Sequence, residues 1–205
     1  MDKNIDLMMR MLEERRSEYV LAPEWVSSEK DVEELVGKVL QTVPSHFNCQ
    51  NVRMVLLKGE AHKTHWKLVE QMLIESIGKE AYENGTKEKF ETSFYSGAGT
   101  ILFFDDTTIT KGMIEKFPRY APNFPLWAQQ VMGSHQFAVW MGLTQLGFGA
   151  NLQHYVGMDD QRIREQFGIP DEWALIGQMP FGKVLTPAEA KEKKPLEETL
   201  IVRDR

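Results

Sequence analysis

The chain has 205 residues, 42% of them hydrophobic and 26% charged, with a formal net charge of −6. That length sustains a core and reads as one domain over 1–205; the composition is that of a soluble globular protein, and the negative balance argues against a broad nucleic-acid surface. One cysteine, Cys49, leaves no pair for an intramolecular disulfide and agrees with a reducing compartment.

The first six residues, Met1-Asp2-Lys3-Asn4-Ile5-Asp6, lack the apolar core of a secretory signal. The longest apolar stretch, around Phe137 to Ala150, is broken by Gln145 and several glycines, so no membrane span is expected. The expectation is a cytoplasmic protein.

Ile5, Met8, Met9 and Leu12 follow helical spacing and predict a first helix ending near Arg15-Arg16. Ser28 precedes Asp31, Val32, Leu35, Val36 and Leu40, which reads as an N-cap and an amphipathic helix stopped before Pro44. Val52 to Leu57 predicts a strand ended by Gly59, followed by a helix over about Ala61 to Ile77 with Trp66, Val69 and Leu73 on one face. Residues 80 to 96 read as polar helix or loop. Gly99-Thr100-Ile101-Leu102-Phe103-Phe104 has the continuous apolar character of a strand covered on both faces.

From about Phe124 to Leu146, apolar residues lie nearly all round one long helix, which is therefore expected to be buried, in part against a second subunit. Asp159 to Phe167 predicts a short helix with Asp159 as its cap. Trp173 to Met179 predicts a strand, and the tail is charged before the apolar Leu200-Ile201-Val202. About four strands interleaved with helices give an α+β layout, helices packed on a mixed sheet.

Three separated segments hold groups suited to binding chemistry. Arg15-Arg16-Ser17 offers two planar guanidinium forks and a hydroxyl that can surround a phosphate; the same residues also suit a helix C-terminus, where cations complement the dipole. Asn48 and Gln50 can donate and accept toward the polar edge of a heterocycle, or serve an ordinary turn. Gly147-Phe148-Gly149-Ala150-Asn151 lets backbone approach a ligand closely, or caps a helix. In the tail, Lys191 and Lys193 can complete a phosphate site or belong to a solvated charged segment.

Other chemistries find less support. Cys49 has no helix N-terminus or neighbouring cation in sequence to activate it. His62 and His65 share a helix face, but no further ligands lie at metal-site spacing. There is no G-x-S-x-G elbow, no Walker loop and no G-x-G-x-x-G after a strand.

Taken in order, E-R-R-S at 14–17, P-S-H-F-N-C-Q at 44–50, the segment from Leu57 to Trp66, G-T-I-L-F-F-D-D at 99–106, G-A-N-L-Q-H-Y at 149–155 and M-P-F-G at 179–182 resemble the nitroreductase family, in its fatty-acid-repression-type branch. The resemblance implies a nitroreductase-like α+β fold, its mixed sheet mainly antiparallel and flanked by helices, in an intertwined homodimer with FMN at the subunit interface. It implies a ping-pong oxidoreductase in which NADH or NADPH reduces the flavin and a nitroaromatic or quinone reoxidises it.

Carried over by position, Arg15, Arg16 and Ser17 fall near the phosphate and ribityl chain. Asn48 and Gln50 fall at the pyrimidine edge, and Ala150, Asn151, Leu152 and Gln153 beside the ring, where a backbone N–H reaches N5. Lys191 and Lys193 match the family's C-terminal basic pair. The protein then needs no acid–base residue of its own, because the flavin carries the chemistry.

Two departures stand out: Tyr19 where many relatives are basic, and Asn51-Val52 where many have Pro-Trp. The stretch 106–124 is shorter than in larger relatives, which implies a more open flavin. Two other classes compete: a flavin-binding regulatory or stress-response protein with little turnover, and a flavin-independent helical interaction protein built on the apolar helix.

Overall fold

The structure, a computed structural model, describes residues 3–158 and 160–204. Helix α1 (Lys3–Glu14) ends just before Arg15 and leads through a loop to the short strand β1 (Val20–Ala22). Helix α2 (Glu29–Thr42) starts at a reciprocal cap. The Asp31 N–H donates to Ser28 Oγ and the Ser28 N–H donates to Asp31 Oδ2, each at 3.1 Å. A 3-10 turn (His46–Asn48) then delivers the chain to strand β2 (Val52–Lys58) and helix α3 (Gly59–Ile77).

Residues 80 to 96 are less polar in role than in composition. Helices α4 (Lys79–Gly85) and α5 (Lys87–Lys89) and a π-turn (Phe90–Phe94) fold Tyr82, Phe90 and Phe94 into the core. Trp66 stacks on Phe94 with centroids 4.3 Å apart, and Phe90 meets Trp66 edge-on. Of the two expectations, polar helix or loop, the helical one holds; the burial of Tyr82, Phe90 and Phe94 was not legible because these apolar residues are diluted among glutamates and lysines that face water.

Strand β3 (Gly99–Asp106) is buried along its whole length. It is paired on both edges, in the order β1-β5-β3-β2, with β4 (Gly149–Ala150) joined to β5 (Trp173–Thr186). Every ladder is antiparallel; the parallel element is the isolated bridge between Ser17 and Ala150. Side chains alternate across β3. Ile101 and Phe103 pack with Val32, Val131 and Val139 on one face, while Leu102 and Phe104 pack with Trp66, Val69 and Phe90 on the other. Two-sided cover explains the unbroken apolar run.

Helix α6 (Thr107–Lys116) and a 3-10 turn (Pro118–Asn123) fill the short stretch before helix α7 (Phe124–Gln145). Within one chain α7 is buried on one side only: Val131, Met132, Val139 and Leu143 face the sheet, whereas Leu126 is 60% and Phe137 44% exposed. Helix α8 (Asp160–Phe167) follows; its expected cap, Asp159, lies outside the described residues. Strand β5 runs past the expected end at Met179, to Thr186. Pro180 cannot donate to a ladder, yet its carbonyl still accepts from the Asn151 N–H at 3.3 Å. The tail ends with α9 (Leu196–Thr199). Among the described residues no helix is long and apolar enough to cross a membrane.

Candidate functional site

The end of α1 and the start of β4 meet although they are far apart in sequence. Ser17 bridges to Ala150, and the Glu18 N–H donates to the Ala150 carbonyl at 3.0 Å. Glycine at 149 permits this approach: a Cβ there would lie 2.4 Å from a Val184 methyl and 2.8 Å from the Glu18 Cβ. Helix α7 holds the preceding residues. The Arg15 guanidinium lies over the Trp140 ring at 4.6 Å, and the Trp140 indole N–H donates to the Arg16 carbonyl at 3.2 Å.

The tail closes on the same place. Arg16 donates to the Glu189 carbonyl, and a pocket of about 340 Å³ is lined by Leu12, Glu13, Arg15, Arg16, Lys191 and Lys193, among others. Four cations therefore converge on one concavity, with the Ser17 hydroxyl next to it in the chain. Unlike a helix end with dispersed charge, this arrangement collects positive groups from both ends of the sequence. It suits a doubly charged phosphate.

The segment Ala150–Gln153 runs beside β5. The Asn151 N–H donates to the Pro180 carbonyl at 3.3 Å and the Gln153 N–H to the Gln178 carbonyl at 2.7 Å. Alternation along an extended segment turns the intervening Leu152 N–H to the opposite side. Asn151 itself is fully buried. Its Nδ2 donates to the Glu18 carbonyl and to Ser93 Oγ, each at 2.7 Å, and its Oδ1 accepts from Gln153 Nε2 at 2.7 Å. Both side chains thus brace the segment while its Leu152 N–H is turned away from β5.

The second segment lies elsewhere. Phe47, Asn48 and Gln50 all take positive φ, at 52°, 52° and 54°, a region that favours glycine and is uncommon for these side chains. The Gln50 N–H donates to Ser45 Oγ at 2.9 Å and so holds the turn. Below it, Asn51 is buried and its Nδ2 donates to Asp105 Oδ1 at 2.5 Å, while the Asp106 N–H donates to the Asn51 carbonyl at 2.8 Å. Asn51 is therefore the anchor that ties this loop to β3. Asn48 and Gln50 remain exposed. The Cys49 thiol is pushed up in pKa by burial, the reverse of what a nucleophile needs.

The first and third sequence segments thus come together with Lys191 and Lys193, and the Asn48–Gln50 loop does not join them. That loop packs near the start of α7, with Phe47 6.2 Å from Trp127 between ring centroids, whereas Arg15 packs on Trp140. At about 1.5 Å of rise per residue, the two anchor points are roughly 20 Å apart along the helix. One chain therefore holds the two groups of residues toward opposite ends of α7. Apolar surface left uncovered in the single chain, at Leu126 and Phe137 on α7 and at Ile201 (74% exposed) and Val202 (81%) in the tail, is of the kind a second copy covers.

Comparison with known proteins decides the family. The sequence matches the pattern described as "Nitroreductase family" over residues 12–183. Two proteins of Saccharomyces cerevisiae, HBN1 and the nitroreductase FRM2, are each 31% identical to it, over 89% and 88% of this chain and 91% and 88% of theirs. The chain belongs to the nitroreductase family. Among solved structures of that family, nitroreductase CinD from Lactococcus lactis superposes with a TM-score of 0.86 at 34% identity, covering 96% of this chain and 100% of CinD, in complexes with 4-nitrophenol and with chloramphenicol. The nitroreductase fold expected from the ordered motifs is the one observed, with its sheet antiparallel in every ladder.

Sequence reading missed three features of this nitroreductase: the Trp140 contact that fixes Arg15 and Arg16, the bracing role of Asn151, and an aromatic cluster around Phe47. The spacing Phe117, Tyr120, Phe124, Trp127 was the available signal for the last. It places four rings on consecutive turns leading into α7.

Proposed function

We propose that the chain is an FMN-dependent oxidoreductase, a homodimer that accepts electrons from NADH or NADPH and passes them to nitroaromatic or quinone acceptors in ping-pong order. The observation that carries this reading is the convergence of Arg15, Arg16, Lys191 and Lys193 on one pocket, coupled through the Ser17–Ala150 bridge to a backbone segment with an outward N–H. When bound, FMN supplies the hydride- and electron-accepting centre.

The chain's residues have separate tasks in this reading. Arg15, Arg16, Lys191 and Lys193 neutralise the phosphate, with Ser17 donating its hydroxyl. Ala150 to Gln153 back the ring plane, and the Leu152 N–H donates toward N5, favouring the electron-rich state. Asn48 and Gln50 of the second copy complete the polar edge of the ring, because one chain cannot bring them to its own phosphate pocket. The 4-nitrophenol and chloramphenicol complexes belong to CinD; at 34% identity they support an aromatic acceptor here as well.

The test is direct. The purified protein is denatured and the released chromophore identified, or the colourless protein is titrated with FMN; stoichiometric FMN is expected. NADH oxidation with 4-nitrobenzoate then separates an enzyme from a flavin-binding regulatory or stress-response protein. No FMN uptake would overturn the reading, and uptake without turnover would favour the regulatory role.

A further inference from the structure

The segment that carries the Leu152 N–H is held from behind by one residue of β5. Gln178 exchanges both backbone hydrogen bonds with Gln153, at 2.7 and 2.9 Å, and its side-chain Nε2 donates to the Tyr155 carbonyl at 2.8 Å. Bonds from a single residue thus fix the chain on either side of His154. Gln178 is fully buried. It stands opposite Leu102 in the ladder, which puts its side chain on the face of the sheet that Trp66 and Val69 of α3 cover.

The Gln178 amide has two ends, and one of them is unmet. Gln178 Oε1 is buried without a hydrogen-bond partner among the described residues, and so are both ring nitrogens of His65, itself fully buried on α3. Leaving such atoms unmet is costly. Their chemistry is complementary: a neutral imidazole has one N–H donor and one acceptor, and an amide oxygen only accepts. Burial keeps the His65 ring neutral, the charge of His62 acts the same way, and the neighbouring Gln178 amide opposes them by favouring the protonated ring. The Thr100 hydroxyl on this face is already engaged, 2.8 Å from both His62 Nδ1 and Trp66 Nε1.

We infer that His65 and Gln178 form a latch behind the ring-facing segment: a ring N–H of His65 donates to Gln178 Oε1, which turns the amide so that its Nε2 meets Tyr155, and the pair positions residues 152–155. The inference rests on the flavin reading above and deepens it, because hydrogen bonds to a bound flavin are one means by which a protein tunes it. Without the His65 N–H, the amide can turn its oxygen toward the Tyr155 carbonyl. Two acceptors then face each other and the segment must shift. A donor displaced from N5 weakens binding of the reduced flavin more than that of the oxidised flavin.

The midpoint potential of the FMN-loaded protein reads that difference. In Gln178→Leu the affinity for reduced relative to oxidised FMN should fall about tenfold, which lowers the potential of a two-electron couple by about 30 mV. His65→Leu should move it the same way by about half as much. His65→Gln, which keeps an N–H donor, should bring it back toward wild type. A merely structural role would lower Tm in these variants and leave the potential alone. A second measurement needs no flavin and no stable variant of Gln178: nitrogen NMR of the imidazoles in colourless wild-type protein should show His65 in one tautomer, its ring N–H in slow exchange with water.

Equal potentials in wild type, Gln178→Leu and His65→Leu would overturn the latch while leaving the flavin reading intact. So would a His65 ring that samples both tautomers. A wild-type protein that takes up no FMN would instead remove the flavin reading, and the positioning role with it, whatever the histidine spectra show.

Discussion

The guanidinium of Arg15 rests 4.6 Å above the ring of Trp140, and the same indole donates its N–H to the carbonyl of Arg16. One residue of α7 therefore sets the position of both arginines of the proposed phosphate site. A cation over an aromatic face is worth about 0.5–2 kcal/mol and a hydrogen bond about 1 kcal/mol. Trp140→Leu should weaken FMN binding by about one order of magnitude with the fold retained. A fluorescence titration with FMN checks this, and an unaltered Kd would show that the arginines hold their positions without the indole.

The four-cation pocket implies recognition of the phosphate as such. Riboflavin, which lacks it, should bind at least about 100-fold more weakly than FMN, since charge-assisted hydrogen bonds contribute about 1.5–3 kcal/mol each. Raising salt should narrow the gap by screening. Lys191→Ala with Lys193→Ala should narrow it too. Equal affinities for the two flavins would place the phosphate elsewhere.

Buried histidines give the fold an acid limit. Burial holds the imidazole of His62 down to about 4 and that of His65 down to about 3, with His62 adding charge repulsion at His65. The unfolded chain binds these protons near the ordinary value of 6.5. The stabilisation is therefore complete above about pH 6.5 and is lost as pH falls toward the folded-state values. Thermal melts from pH 7.5 to 4.5 should show a falling Tm, and His65→Leu should flatten that fall. An equally steep fall in the variant would assign the acid limit to other groups.

Gly149 tests the join between α1's end and β4. In Gly149→Ala the new methyl meets Val184 and Glu18 at 2.4 and 2.8 Å, so overpacking should cost about 1–3 kcal/mol. A lowered Tm together with lost FMN affinity is expected. A stable variant with full affinity would mean that the segment relaxes without disturbing Ser17 and Ala150.

Much of this architecture is legible in the amino acids, for local reasons. Ser28 and Asp31 announce α2 because a cap acts within one turn, and the run from Gly99 to Phe104 announces a central strand because both its faces are covered. The residues proposed to bind the phosphate are legible only through their order along the chain. Arg15 and Lys193 meet through a long-range return of the tail that no periodicity encodes. Phe90 and Phe94 are obscured by the charged residues around them, and β5 is cut short by a proline that in fact needs only its carbonyl. The inward turn of Asn151 could not be read from its place in a glycine-rich segment, because its partners Glu18 and Ser93 are distant in sequence.

The central claim is that each flavin is held by two copies, Arg15 from one and Asn48 from the other. It is tested most directly by mixing two inactive variants, Arg15→Glu and Asn48→Asp, under conditions that exchange subunits. In a two-fold symmetric dimer each mixed pair regains one site with both wild-type halves, so random exchange should restore about a quarter of wild-type FMN-dependent turnover. Recovery near that level is the predicted result. A mixture as inactive as its parents, with exchange confirmed by mass, would contradict the shared site.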